Sequence, residues 1–163
     1  MPGSDLVMYE EEFRSVDQEL QRLQTQANAR VVFLVDKNGQ LIASAGDIKG
    51  LDTTSLASLT AGNIAATGGM AKLLGEKEFS ILFHEGEKDN IHISIIDRVI
   101  LVVIFDQRSS LGLVRLRVKK SSEAFAKIFA SVSEKSHKEK AGGKVSVSPF
   151  AEITDEDIDN LFG

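Results

Sequence analysis

An α+β sandwich is the fold class this sequence predicts, and two observations carry it. Apolar residues recur at helical spacing in three separated stretches, with short runs of strand character between them, which gives the order α-β-β-α-β-β-β-α. One of those runs, VILVVIF at 99–105, is apolar at every position, as a strand covered on both faces is, so it predicts a sheet centre with helices on either side. With 163 residues, 42% hydrophobic and 26% charged, the chain is long enough for one real core.

From Tyr9 to Ala27, Phe13, Val16, Leu20, Leu23 and Ala27 repeat at the spacing of an amphipathic helix with one buried stripe. Glu10, Glu11 and Glu12 fall in its first turn, where the helix dipole favours negative charge. The next run, Arg30 to Asp36, is rich in β-branched residues. Asp36-Lys37-Asn38-Gly39 follows, and its Asn-Gly pair predicts a two-residue hairpin turn with positive φ, returning as a strand over Leu41 to Ala45. The same four residues look like the start of a calcium loop, but no Glu closes a twelve-residue loop and a strand begins at once.

Thr53 to Leu74 is long enough for a single helix and poor in large side chains. Asp52, Thr53 or Thr54 can cap it. Ala57, Ala61, Ala65 and Gly69 recur every four residues and form one row, a bare surface that another backbone can approach closely. Gly62, Gly68 and Gly69 each cost roughly 0.5–1 kcal/mol of helix stability relative to Ala, so some close packing must offset them. That packing is either against the helix's own sheet or against a second protein. Ser, Thr, Asn and Lys interrupt the apolar run and argue against a membrane span.

Three further strands are predicted at Phe79 to Glu85, Ile91 to Ile96 and Val99 to Phe105, joined by turns at 86–90 and at Asp97-Arg98 as an antiparallel meander. Ser109 or Ser110 can cap a last helix running to about Lys135, although Leu113 to Lys119 also alternates apolar and basic in the manner of a strand. Arg115, Arg117, Lys119 and Lys120 form either a solvated face or a surface for an acidic partner. Residues 136–147 read as a flexible linker and 148–163 as a short amphipathic segment with Pro149 at its first helical position, leaving 1–135 as the folded domain. So short a helix is unstable alone, and residues 148–163 suit either a segment that folds when it docks in a groove or a frayed tail whose periodicity is accidental.

The net charge of −5 lies entirely in that last segment: 19 of the 24 acidic residues precede it and balance 19 basic ones, while Glu152, Asp155, Glu156, Asp157 and Asp159 stand over. A neutral body argues against non-specific nucleic-acid binding. Cysteine is absent, which removes disulfides, thiolate metal sites and cysteine nucleophiles. No basic leader with an apolar stretch behind it is present, and the chain reads as cytoplasmic. His84, His92 and His137 lack metal-ligand spacing and read as exposed or hydrogen-bonded structural residues, an esterase elbow and a P-loop are both missing, and an Asp97–Asp106 acid–base pair has nothing to bring it together. The reading is a binding module without cofactor or metal.

The element order, together with LVMYEEEF at 6–13, VVFLVDKNGQLI at 31–42, DTTSLASLTAGN at 52–63, LGLVRLR at 111–117 and SPFAEI with DIDNLF at the end, resembles the Roadblock or dynein light chain family, and within it the bacterial gliding-motility branch. That resemblance implies a five-stranded, mainly antiparallel sheet with one helix on one face and two on the other. It implies a homodimer in which the strand carrying Phe79, Ile81, Phe83 and Glu85 pairs edge to edge. The two small-residue helices would then form a platform, through Thr60, Ala61, Ala65, Gly68, Gly69 and Lys72, for one Ras-like small GTPase per two subunits. The implied activity is GTPase activation without an active site of its own, and Phe150, Ile153, Ile158, Leu161 and Phe162 would dock on the GTPase and affect nucleotide exchange. Enrichment at a cell pole is a further implication. A scaffold that locates partners without changing a GTPase rate is the competing reading, and a small-molecule sensor is a third.

Overall fold

The computed structural model describes residues 10–141, with side-chain surroundings through Val132. The order is α1 (Glu10–Gln26), β1 (Val31–Asp36), β2 (Leu41–Gly46), α2 (Thr53–Leu73), β3 (Ile81–His84), β4 (Asn90–Ile96), β5 (Val99–Phe105) and α3 (Leu111–Ala141). All strands pair antiparallel in one sheet of order β2-β1-β5-β4-β3. The expected fold class is therefore the one observed.

Every residue of β5 is buried, and its neighbours β1 and β4 place it at the sheet centre. Alternation along the strands then sorts side chains to two layers. Val32, Leu34, Leu101, Val103 and Phe105 point to the layer filled by α1 and α3, where Val16, Leu20, Leu23, Val114, Phe125 and Phe129 complete a core. Val31, Phe33, Val35, Ile100, Val102 and Ile104 point to the opposite layer, where α2 is the only helix among the described residues and packs through Ala57, Leu56 and Ile64.

Some local expectations change. The β1–β2 turn is not a two-residue turn with positive φ at Asn38: Gly39 alone takes φ 90°, Gly39 N–H donates to Asp36 O, and Asp36 Oδ1 accepts from the N–H groups of Asn38 and Gln40 at 2.9 and 3.0 Å. The Asp36 carboxylate satisfies two loop donors, so the longer turn with one left-handed glycine wins. In α1 the first turn buries Glu12 and leaves Phe13 exposed, since the two lie on opposite flanks of the Val16–Leu20–Leu23 stripe. The third strand is shorter than expected. Phe79 and Glu85 fall outside β3, although Ile95 N–H still donates to Ser80 O. At α3 the strand-like alternation loses to capping: Ser110 Oγ accepts from Leu113 N–H and Ser110 O from Val114 N–H. The helix also continues past Lys135 to Ala141, because no Gly or Pro interrupts it before Gly142.

Gly39 ties this hairpin to α2. A Cβ built there would sit 3.1 Å from Ser58 Cα and 3.5 Å from Ala61 Cβ, whereas one at Gly50, also at positive φ, would meet nothing within 4 Å. Gly39→Ala is expected to cost about 1–2 kcal/mol from the backbone alone and more from the contact, whereas Gly50→Ala carries only the backbone part. Urea midpoints of the two variants, at unchanged m-value, give the difference.

Candidate functional site

The surface that stands out is built by α2 and the free edge of β3. Asp52 starts the helix: its carboxylate accepts from Ser55 N–H at 3.0 Å and from Ser55 Oγ at 2.7 Å, and these bonds hold its pKa below the ordinary carboxylate value. Thr60 and Thr67 turn their hydroxyls back onto the carbonyls of Leu56 and Asn63, at 2.7 and 2.9 Å, so neither offers a free donor.

The row of small residues has two halves with different surroundings. Ala57 is fully buried on the sheet and Ala61 is half-buried beneath the Gly39 turn, so in this half closeness serves the subunit's own packing. Ala65 and Gly69 are exposed, and added Cβ atoms at Gly62, Gly68 and Gly69 would meet nothing within 4 Å. No neighbour among the described residues offsets the helix-weakening glycines here. Of the expected platform residues, Ala61, Ala65, Gly68, Gly69 and Lys72 reach the surface, fully or in part. Thr60 does not: it is buried, because helical phase turns it with Ala57 and Ala71 towards the sheet.

A second feature was not legible from the small-residue pattern. Leu59, Met70, Leu73 and Leu74 are 59–88% exposed, so α2 is apolar on its outer side as well as its inner one. Asn63, on the same side as Leu59 and Met70, is joined to His84 of β3 by a 2.9 Å contact between Asn63 Nδ2 and His84 Nε2. That contact orients the Leu59–Met70 side of α2 towards the β3 edge, where Ile81 is half exposed. The backbone of β3 facing away from β4 has no strand beside it among the described residues.

Chemical machinery does not converge anywhere among the described residues. Asp97 and Asp106 flank β5 at its opposite ends, and Asp106 is occupied by Arg108 at 3.0 Å. His84 is exposed and hydrogen-bonded, as expected, but His92 departs from that reading. It is buried, and neither ring nitrogen has a hydrogen-bond partner among the described residues. His137 has no described side-chain surroundings, and the docking residues Phe150, Ile153, Ile158, Leu161 and Phe162 lie outside the described residues. No group of His, Asp and Glu among the described residues could hold a metal, and no helix of the described chain is long and apolar enough to cross a membrane.

The chain belongs to the Roadblock/LC7 domain family, whose match spans residues 15–105, from within α1 to the end of β5. Within that family it closely resembles MglB. It is 64% identical to Myxococcus xanthus MglB over 78% of this chain and 96% of that one, with a TM-score of 0.74. The gliding protein MglB of Thermus thermophilus is 34% identical over 78% and 97%, also at 0.74. An MglB described in a tetrameric arrangement is 33% identical over 78% and 97%, at 0.73. No curated protein matches the chain.

Two outcomes follow from this geometry. Gly69→Ala is expected to raise the stability of the subunit by roughly 0.5–1 kcal/mol, since the helix gains a better former and the new methyl meets nothing; chemical denaturation measures it. Burial, and secondarily the charge of Arg115, holds the His92 pKa below its ordinary value of about 6.5. Arg115, Lys119 and Glu123 of α3 share the cavity with the imidazole. A depressed pKa in a base means that the unfolded chain takes up the proton first. The stability contributed by the neutral ring is therefore present above about pH 6.5 and lost as pH falls towards the folded-state value. His92→Leu is expected to flatten that fall, read from urea midpoints between neutral and mildly acid pH.

Proposed function

We propose that this chain is a homodimeric regulator of a Ras-like small GTPase of the MglA type, two copies to one GTPase, which stimulates GTP hydrolysis without an active site of its own. The observation that carries the reading is the exposed half of the α2 row, Ala65 and Gly69, where glycine is kept at a cost in helix stability and a Cβ added at Gly68 or Gly69 would meet nothing within 4 Å among the described residues. The likeness to MglB, itself described in one case as tetrameric, supports the partner and the assembly.

In this reading the β3 edges of two subunits pair and extend the sheet, with Ile81 and Phe83 central and Phe79 and Glu85 flanking the strand. The exposed leucines and Met70 of α2 lie on the side of the helix that faces the β3 edge, so they meet their counterparts in the second copy. The small row, with Gly68 and Lys72, then lies open as a platform. Activation works through the partner's conformation: the platform binds most tightly the arrangement in which the GTPase's own catalytic residues reach the nucleotide, and binding energy shifts that population. An inserted arginine, worth ~10³–10⁵ in rate elsewhere, is not required. The segment at 148–163 docks on the GTPase and affects exchange. The protein works in the cytoplasm, and its polar enrichment and role in gliding follow those of the partner.

Ala65→Arg and Gly69→Arg are expected to weaken GTPase binding about 10–100-fold, the equivalent of an overpacked contact, while the dimer mass is retained in light scattering. Wild-type affinity in both variants would rule the platform out. The cognate GTPase assayed with and without the protein separates activation from scaffolding, because a scaffold leaves turnover unchanged. Ile81→Lys places a charge in the paired edge and is expected to give monomers in sedimentation.

A further inference from the structure

The basic residues of α3 do not form one solvated face. Arg117 is turned towards α1, where Nη1 donates to Gln26 Oε1 at 3.3 Å. Arg115 and Lys119 stand on another side, at the rim of a groove of about 600 Å³ between α3 and the β3–β4 edge of the sheet. Ser122 and Ala126 continue their stripe, and these short side chains keep the groove open. Its floor is β4, where His92 and Ser94 point to the same face. They are 1% and 5% exposed, and neither the two imidazole nitrogens nor Ser94 Oγ has a hydrogen-bond partner among the described residues. A buried polar group without a partner costs on the order of 1–3 kcal/mol. Two such groups side by side, aimed into one open groove under two cations, point to a ligand that brings hydrogen-bonding, negatively charged atoms. Apart from Ser80, the remaining walls, Ile81, Ile95 and Val118, are apolar.

We propose that this groove holds the chain's own acidic segment, residues 148–163, with its carboxylates against Arg115 and Lys119 and within reach of His92 and Ser94, and with Phe150 or Ile153 on the apolar wall. Charge complementarity selects this occupant. The segment carries five carboxylates interleaved with Phe and Ile, and it holds all of the chain's net charge, while the groove offers two cations against the single Glu123. Chain length permits it. From Ala141 back to Lys119 along α3 is about 33 Å at 1.5 Å per residue, and the residues from 142 to 152, fully extended, span roughly 36–40 Å. The groove seats a few residues at a time, as its volume requires. Docking there stabilises the segment in the absence of a partner and competes with its use elsewhere; the groove itself does not depend on the GTPase reading.

The absence of cysteine makes the test direct. In the full-length protein, Asn160→Cys carries a nitroxide spin label, and paramagnetic broadening of backbone amides is read by NMR. Broadening centred on His92, Ser94 and Ser122 is expected. It should be lost in Arg115→Glu with Lys119→Glu, and recovered when Glu152→Lys and Asp155→Lys are added to that pair. Mixing labelled chains with isotope-labelled, spin-free ones tells whether the segment comes from the same subunit or a neighbour: the same subunit is expected, and broadening that appears only between chains overturns docking of the chain's own segment. Broadening elsewhere, or broadening at the groove that ignores the charge reversal, overturns it. So does a groove whose amide shifts depend on protein concentration but not on the tail carboxylates, because a second copy then covers it.

Discussion

The constraint on which the rest of the molecule depends is the burial of β5 on both faces. A strand with seven apolar side chains cannot border water on either side, so the sheet needs a helical layer above and below it. The layers are unequal. Five strands at about 4.8 Å spacing are close to 19 Å across between the outer axes, while one helix with its side chains is about 10–12 Å wide. Among the described residues, α1 lies over β1 and β2 on one face while α3 reaches β4, and on the other α2 lies over β1 and β2 by itself. Both faces therefore leave the β3 side thinly covered. The two surfaces with unmet chemistry, the outer side of α2 and the groove beside α3, both border it.

Small residues along one helix serve two different ends. Ala57 and Ala61 let the Gly39 turn and the sheet approach, an internal use that the packing fully accounts for. Ala65 and Gly69 continue the same four-residue repeat onto the exposed surface, where nothing among the described residues accounts for it. The choice between packing on the helix's own sheet and meeting a second protein is thus not exclusive. The first describes the N-terminal turns, and the second is the reading that fits the C-terminal ones.

Much of this was legible beforehand. The VILVVIF run signalled a central strand because apolarity at every position has one structural cause, and the helical repeat at Val16, Leu20 and Leu23 signalled a buried stripe for the same reason. Local chemistry was harder to read. Asn38-Gly39 signals a tight turn, but Asp36 sits beside it with a carboxylate that satisfies a longer one. Glu12 and Phe13 are one residue apart on a helix, and composition favours burying the wrong one. The link to MglB is one of sequence likeness, whereas the division of α2 into a packed half and an open half is a property of the tertiary structure.

By itself the sequence determined the number and order of the elements, the centre of the sheet and the absence of catalytic motifs, because each of these follows from spacing and composition within short stretches. Only the tertiary structure decided which small residues stay open, which side of α2 leans on β3, and that Arg115 and Lys119 gather above His92 and Ser94 while Arg117 turns away. Those are questions of what lies across from a residue. The answer comes from chain separated by tens of positions, and no local pattern carries it.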